Sequence, residues 1–310
     1  MRIAVVGTGG LGGYFGGRLA FAGEDVHFIA RGAHLAALRE HGLRVESVLG
    51  DFALEPVDTQ ATADPSTIGP VDIVLFTVKS YDTETAAREI LPGLIGDQTA
   101  VISLQNGIDN EEKLAEAIGP EHVAGGAAYI FAGIAGPGRI RHTGGPARLV
   151  FGGLDGRESP RLEAFRAACE RAGIKAEVTP DVQVALWTKY TFICGVAGMT
   201  AATRQPIGVI RDIPAAWQLL REAFEEAVAV GRAEGVALSD DLVDRHLTAV
   251  QGLAPTLYSS LHADLVAGRQ IELDGILGEL VRRAIRAEVP VPTSATLYAV
   301  IATQAAASQT

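Results

Sequence analysis

The stretch RIAVVGTGGLGGYFGGRLAFAG, residues 2–23, decides the fold of this chain. It begins with an apolar run typical of a buried strand, continues through glycines, and ends with helical spacing before a stop glycine. The glycines form a G-x-G-x-x-G pattern, in which backbone N–H groups and the positive end of a helix can face a pyrophosphate. The pattern predicts dinucleotide binding by Gly7, Thr8, Gly9, Gly10, Leu11 and Gly12. A tight turn without a ligand is the alternative.

The rest of the first half alternates between strand and helix patterns. Further strands are predicted over residues 25–30, 71–79 and 99–107, with helices over 33–41 and 109–118. This alternation predicts a parallel sheet covered by helices on both faces.

A change of pattern follows at residue 123. Glycine-rich, β-prone pieces up to residue 153 predict short hairpin strands that extend the sheet, and a helix (160–172) and a strand (174–178) close this half. After residue 180 strands nearly vanish, and helices are predicted over 181–202, 213–234, 240–250 and 274–287, the last capped by Asp274. We therefore predict an α/β domain over 1–178 and an all-helical domain over 179–310.

The end of the second predicted strand indicates the cofactor. NAD-binding domains carry an acid there, which accepts a hydrogen bond from the ribose 2′-hydroxyl. This chain instead reads FIARGAH, with Arg31 offering a planar fork of donors that suits a 2′-phosphate. The sequence thus favours NADPH, and a solvated surface arginine is the alternative.

Composition excludes several other classes of function. The net charge of −11 argues against nucleic acid as the main partner, because phosphate binding needs clustered cations. No apolar run reaches the length of a membrane span, and the seven histidines lack ligand spacing, so neither a membrane nor a metal is expected. Cys169 and Cys194 fit reduced thiols of a cytoplasmic protein.

One lysine stands out in LWTKYTFICGVAGMTAATR, residues 186–204. Lys189 is the single charge before the final arginine, and an ammonium group in such apolar surroundings is costly unless it has a task. Beside a carbonyl in a cleft, it would supply a positive field and a proton to the oxygen. The sequence therefore predicts a proton donor. A lysine whose stem packs on the helix while its head reaches water is the alternative.

These features belong to a longer ordered set of motifs. The set comprises GTGGLG, Arg31, TVKSYDT with Lys79, SLQNG with Asn106, LWTKY with Lys189, SSLHADLVAGRQIELDGILGELVRRA with Ser260 and Glu272, and VPVPT. From Met1 to about Val300, the chain resembles the ketopantoate reductases (2-dehydropantoate 2-reductases). The resemblance implies a Rossmann domain followed by a helical domain. It also implies NADPH-dependent reduction of 2-dehydropantoate to pantoate, a step of pantothenate biosynthesis.

The resemblance also implies residue roles. Lys189 would be the catalytic acid, and Asn106 would hold cofactor and substrate. Glu272 would orient the substrate or the nicotinamide ribose and complete the catalytic set. Ser260 would bind the substrate carboxylate, and Lys79 and Ala132 would line the cofactor. Structural alternatives are a turn for Asn106, a helix-surface hydroxyl for Ser260, and a strand-end charge for Lys79.

The substrate pocket departs from the family pattern. Ile193, Ala197 and Ile207 stand where the family has asparagines, so the pocket is expected to be more apolar. Losing an amide partner costs about 1 to 3 kcal/mol of discrimination per contact. Arg204 could pair with a substrate carboxylate instead, or simply neutralise the C-terminal dipole of its helix.

Other functions remain open on sequence grounds. A dehydrogenase of the same architecture could act on an opine, another hydroxy acid or a phosphorylated polyol, although Lys189 and Arg204 are the only cations of the second half expected in the cleft, and a phosphate would need several. A non-catalytic NADPH sensor would need the glycine loop but no proton donor. The sequence leaves the oligomeric state open, a homodimer included.

Overall fold

The computed structural model describes residues 1–307 of the chain. The chain divides into two compact units. The first consists of Met1–Gln105 and Asn110–Ala185, and the second of Asn106–Asp109 and Leu186–Thr310.

The first unit is built on a ten-stranded sheet. Its strands are β1 (Arg2–Val6), β2 (Asp25–Ile29), β3 (Leu43–Ser47), β4 (Phe52–Leu54), β5 (Gln60–Thr62), β6 (Ile73–Phe76), β7 (Ala100–Ser103), β8 (Val123–Gly136), β9 (Arg139–Gly153) and β10 (Lys175–Val178). The order is β4-β3-β9-β8-β7-β6-β1-β2-β5, with β10 also paired to β9. The central strands from β8 to β5 run parallel, so their carboxyl ends meet at one edge.

Helices cover the two faces of this sheet. They are α1 (Gly10–Phe21), α2 (Gly32–His41), α3 (Thr83–Ile90), α4 (Asn110–Ile118) and α5 (Pro160–Arg171). Successive side chains of a strand point to opposite faces. In β1, Ile3 and Val5 accordingly join one apolar cluster while Ala4 and Val6 join the other. The predicted two-sided α/β sheet is confirmed.

The glycine-rich region after residue 123 forms one long antiparallel hairpin rather than the predicted short pieces. Its strands, β8 and β9, have 14 and 15 residues. Register shifts occur in the outer half of the hairpin, between Tyr129 and Gly136 of β8. The first part of β9 pairs with β3 and its last part with β10, both along the edge of β9 that faces away from β8.

The second unit is helical, as predicted. It contains most of α6 (Val182–Thr203), then α7 (Ile207–Asp212), α8 (Pro214–Ala233), α9 (Leu242–Gln251), α10 (Ser260–Val266), α11 (Glu279–Arg286) and α12 (Pro292–Ala307). Helix α6 is almost wholly apolar and buried from Cys194 to Ala201, which makes it the central helix of this unit. Gly195 lets it approach the ring of Phe224 closely.

The segment before α11 differs from the regular helix predicted over 274–287. A π-helical turn, Asp274–Gly278, precedes the α-helix. Asp274 does not cap it: Leu273 occupies the N-cap position, and the Asp274 carboxylate accepts a hydrogen bond from the Tyr298 hydroxyl at 2.8 Å. The side chain is thus engaged by α12, a partner that the local sequence does not reveal.

Candidate active site

The glycine loop between β1 and α1 has glycines of two kinds. At Gly7, which has φ of +95°, an added Cβ would lie 2.8 Å from the Val78 amide nitrogen. At Gly10 it would lie 2.5 Å from the Ala132 carbonyl oxygen. At Gly9 it would meet no atom within 4 Å. Packing therefore requires glycine at positions 7 and 10. At Gly9, by contrast, there is open space in which a ligand can approach the backbone.

Hydrogen bonds hold this loop in a fixed shape. The Thr8 hydroxyl and amide both donate to the Ile29 carbonyl, at 3.0 and 3.3 Å, and the Thr77 hydroxyl donates to the Gly7 carbonyl at 2.6 Å. Helix α1 begins just after Gly9, with no side-chain cap and no acid in its first turn. Its uncapped, positively polarised end suits a phosphate group.

Arg31 follows β2, the neighbour of β1, and lies at the N-cap of α2. Its side chain is 69% exposed, and its guanidinium is 3.8 Å from the Glu89 carboxylate, itself 63% exposed. An ion pair this exposed is weak, so Arg31 can exchange its partner for a stronger anion at little cost.

His34, which the sequence analysis did not single out, lies one turn further along α2. Its Nδ1 accepts a hydrogen bond from the Gly138 amide at 3.1 Å. Burial lowers the pKa of the ring, and the Thr8 backbone opposes this in part. His34 thus ties α2 to the β8–β9 hairpin and lies near the glycine loop. The one feature of the sequence that could have drawn attention to His34 is its position three residues after Arg31.

Three more predicted cofactor residues lie after or within sheet strands. Lys79 is half-buried just beyond β6, and its neighbour Val78 packs against Gly7. The carbonyl of Ala132, in β8, packs against Gly10. Asn106, also half-buried, follows β7 and belongs to the second unit. Within the first unit the structure thus places Ala132 against Gly10, and Lys79 next to a residue that packs against Gly7.

A buried polar network, also unpredicted, supports the chain just before Asn106. The Gln105 amide donates to the Val78 carbonyl at 3.0 Å and to the Thr83 hydroxyl at 2.7 Å. Thr83 in turn donates to the Asn110 amide oxygen at 2.9 Å. These bonds fix the ends of β6 and β7 to the starts of α3 and α4.

In the second unit, Lys189 is a half-buried residue of α6. Trp187 and Tyr190, on either side, are 2% and 1% exposed, and their rings make an edge-to-face contact at 5.4 Å. Glu272 is 6% exposed and lies just before the π-helical turn. The unit therefore carries the Lys189 ammonium on α6 and the buried Glu272 carboxyl group on the segment that leads into α11.

The predicted substrate residues are more exposed. Ser260 is the exposed first residue of α10. Its neighbour Ser259 is the capping residue: its hydroxyl accepts from the His262 amide at 3.2 Å and from the Thr200 hydroxyl at 2.8 Å. Arg204 follows α6 with φ of +54° and donates to the Gln304 side-chain oxygen at 2.6 Å.

The pocket substitutions differ from one another in burial. Ala197 and Ile207 are 3% and 0% exposed, whereas Ile193, one turn after Lys189 on α6, is only partly buried. Of the three positions that depart from the family pattern, Ile193 is therefore the one with side-chain surface left to offer a substrate.

Within residues 1–307, no group of three His, Cys, Asp or Glu side chains is placed to hold a metal ion. No helix of the same range is both long and apolar enough to cross a membrane. Cys169 and Cys194 are free and buried, and burial raises the pKa of Cys169 to about 12, so it stays a thiol at neutral pH.

Two family models match the chain in succession. The model described as ketopantoate reductase PanE/ApbA covers residues 3–156, and the one described as ketopantoate reductase PanE/ApbA C terminal covers residues 181–305.

Individual relatives agree with these models over nearly the whole length. A 2-dehydropantoate 2-reductase of Halobacterium salinarum is 34% identical over 96% of both chains. An uncharacterized oxidoreductase of Bacillus subtilis is 31% identical over 96% of this chain and 97% of the relative. The crystal structure of a PanE/ApbA family ketopantoate reductase from Ralstonia eutropha is 34% identical, has a TM-score of 0.91, and matches all of both chains.

A sheet with a glycine loop at its carboxyl edge, followed by a helical unit, defines a nicotinamide-dependent oxidoreductase. With both family models matched over most of the length, the chain belongs to the ketopantoate reductase family. The family resemblance inferred from the sequence motifs is thereby confirmed.

Proposed function

We propose that this protein reduces a 2-oxo acid to the 2-hydroxy acid with NADPH, and that Lys189 donates the proton. The observation that carries this proposal is the one charged residue of α6, half-buried between two fully buried aromatic residues. An ammonium group in such a setting is electrostatically stronger than in water, because surrounding apolar groups screen it less.

The first unit would hold the cofactor. Backbone amides of Gly9, Gly10 and Leu11 suit the pyrophosphate, and Arg31 suits a 2′-phosphate. Lys79, Ala132 and Asn106 would contact the remainder, and Glu272 would orient the nicotinamide ribose or the substrate. The open space at Gly9 fits this assignment, because a backbone without Cβ lets a phosphate approach closely. When bound, the reduced nicotinamide supplies a hydride.

The second unit would act on the carbonyl. As negative charge builds on the substrate oxygen, the Lys189 ammonium stabilises it and transfers a proton, which yields the hydroxyl group. The amine then regains its proton from water. Ser260 and Arg204 would bind the substrate carboxylate, for which the exposed hydroxyl and guanidinium are suitable donors.

Ketopantoate, also called 2-dehydropantoate, is the leading substrate. The aliphatic Ile193 one turn after Lys189 supports a second candidate, a more apolar 2-oxo acid. A site that lacks an amide partner loses its preference for a hydroxylated substrate, by about 1 to 3 kcal/mol.

The test is NADPH oxidation measured with a panel of 2-oxo acids: ketopantoate, unbranched and branched aliphatic acids, and an aromatic acid. We expect turnover of at least one, with NADH as a less effective cofactor. NADPH binding without turnover on any carbonyl would instead identify a sensor. Reduction of NADP⁺ by opines or phosphorylated polyols, with every 2-oxo acid left unreduced, would replace the substrate class.

Three further expectations accompany this proposal. Residues 1–178 would form the NADP-binding domain and 179–310 the catalytic domain. The protein would act in the cytoplasm, as a homodimer. Sedimentation at micromolar concentration tests the last of these.

A further inference from the structure

The π-helical turn Asp274–Gly278 follows directly after the buried Glu272. Turns of this kind are rare, occur mostly as single turns inside α-helices, and are frequent at functional sites. Here the turn lies between the segment that carries Glu272 and the regular helix α11, so the contacts that hold the turn also affect the position of Glu272.

A buried tyrosine of α6 reaches this turn. The Tyr190 hydroxyl donates to the Ile276 carbonyl at 2.6 Å, and the Glu279 amide donates to the same oxygen. Burial raises the pKa of Tyr190 well above its ordinary value, so the phenol keeps the proton that it donates. Tyr190 is also the residue after Lys189, so the two side chains share one backbone segment.

The backbone completes a path from Tyr190 to Glu272. The amide of Ile276 donates to the Glu272 carbonyl at 3.1 Å, while its own carbonyl accepts the Tyr190 hydroxyl. Ile276 is thus hydrogen-bonded both to Tyr190, on the same helix as Lys189, and to the backbone of Glu272.

Other contacts hold the same turn. The Tyr298 hydroxyl donates to the Asp274 carboxylate at 2.8 Å, and Arg282 donates to the Asp274 carbonyl, also at 2.8 Å. Gly198 of α6 faces Leu277, and an added Cβ there would lie 3.3 Å from the leucine side chain. Close packing and hydrogen bonds therefore fix the turn against α6 and α12.

We propose that Tyr190 is a positioning residue, which sets the place of the Glu272 carboxyl group relative to the Lys189 ammonium through its hydrogen bond to the π-helical turn. The inference rests on the proposed function, because it assumes that Lys189 and Glu272 act on the same substrate and cofactor. A shift of Glu272 by a fraction of an ångström would reduce turnover without removing any group that touches the reactants.

The primary test is Tyr190→Phe, which removes only the hydroxyl. We expect kcat to fall about 10-fold while NADPH affinity changes less than about 2-fold, because the glycine loop, which would hold the pyrophosphate, lies in the other unit. The matched control is Thr191→Val, which removes a buried hydroxyl from the next residue of α6, where it bonds His246 at 2.8 Å. An equal fall in kcat for the control would overturn the proposal by showing a general effect of loosening α6.

A double-mutant cycle identifies the residue through which Tyr190 acts. In a Glu272→Gln background, Tyr190→Phe should lower kcat less than 2-fold further, because the group that it positions is already lost. A full, multiplicative 10-fold loss in that background would overturn the proposal.

A second variant covers the case in which Tyr190→Phe fails to fold, and turnover of the unaltered protein distinguishes failure of the proposed function from failure of the positioning role. If Tyr190→Phe does not fold, Tyr298→Phe releases the same turn from its other side. It should lower kcat at least 2-fold, again only when Glu272 is present, and unchanged turnover would overturn the proposal. Absence of turnover in the unaltered protein would reject the proposed function, whereas normal turnover in a folded Tyr190→Phe variant rejects the positioning role alone.

Discussion

The Thr191 hydroxyl lies 2.8 Å from Nε2 of His246, a residue that is 6% exposed and packed against the rings of Phe192 and Phe224. Burial, with a smaller contribution from the Arg245 charge, lowers the pKa of His246 from 6.5 to about 4. The folded protein therefore holds this ring neutral at pH values where the unfolded chain protonates it.

This shift predicts a loss of stability in mild acid. The stability that the neutral His246 ring contributes is fully present above pH 6.5, the pKa of histidine in the unfolded chain. It is lost as the pH falls toward about 4, the pKa of His246 in the folded protein. Between pH 7.5 and 5 we expect a loss of about 2 kcal/mol. Urea unfolding of the protein and of His246→Gln at both pH values measures it.

The comparison with His246→Gln isolates this histidine. Burial also lowers the pKa values of His34 and His262, so they contribute to the total pH dependence of both proteins and cancel in the difference. If the stability difference between the two proteins is the same at both pH values, His246 does not titrate as described.

Lys189→Ala tests the proton donor. We expect kcat to fall about 10²- to 10⁴-fold, the usual contribution of a positioned acid, with little change in NADPH affinity. Steady-state turnover on the best 2-oxo acid, together with cofactor titration, measures both. Lys175→Ala, at an exposed position of β10, is the matched control and should leave kcat unchanged. Normal turnover in Lys189→Ala would remove this residue from the mechanism.

Arg31→Ala tests the choice of cofactor. Loss of a charged hydrogen-bond partner should weaken NADPH binding about 10- to 100-fold and leave NADH binding nearly unchanged. Fluorescence titration with both cofactors measures the ratio. Arg88→Ala, which removes an arginine that is 73% exposed and paired with Glu84, is the control. Equal losses for the two cofactors in Arg31→Ala would show that this arginine does not recognise a 2′-phosphate.

Glu89 offers a complementary test of the same residue. Because its carboxylate is the observed partner of Arg31, Glu89→Gln should leave the guanidinium freer for a phosphate. We expect NADPH binding to tighten about two- to five-fold, in line with the small energy of an exposed ion pair.

Regular elements with clear boundaries were predictable from the sequence. The strand β1, the glycine loop and α1 follow from an apolar run, glycines and helical spacing within one short segment. By contrast β4 and β5 have three residues each, too few for a strand pattern to be distinguished from a loop.

Helix α12 shows a second reason why prediction fails. Its first-turn amides, those of Thr293 and Ser294, donate to the Glu226 carboxylate of α8 at 2.8 and 2.7 Å. A cap supplied by a distant helix is invisible locally, and the alanine-rich segment lacks an amphipathic pattern.

The candidate site was predictable only in part for a similar reason. Charge and glycine spacing pointed to Lys189, Arg31 and the loop, whereas the motifs alone pointed to Glu272. The roles of His34 and Tyr190 depend on partners more than 80 residues away, at Gly138 and Ile276. Such contacts are set by tertiary structure, so no local pattern could reveal them.

The two kinds of glycine in the loop give the sharpest test of cofactor binding. Gly9→Ala should lower the free energy of unfolding by no more than about 1 kcal/mol, the cost of alanine at an N-cap, because its Cβ meets no protein atom. It should nevertheless weaken NADPH binding at least about 10-fold by obstructing the phosphate. Gly10→Ala should instead destabilise the first unit by about 1 to 3 kcal/mol, since its Cβ would press on the Ala132 carbonyl. Thermal unfolding and cofactor titration of both variants separate packing from ligand contact. Unaltered NADPH affinity in Gly9→Ala would mean that the loop is a tight turn and no pyrophosphate approaches it.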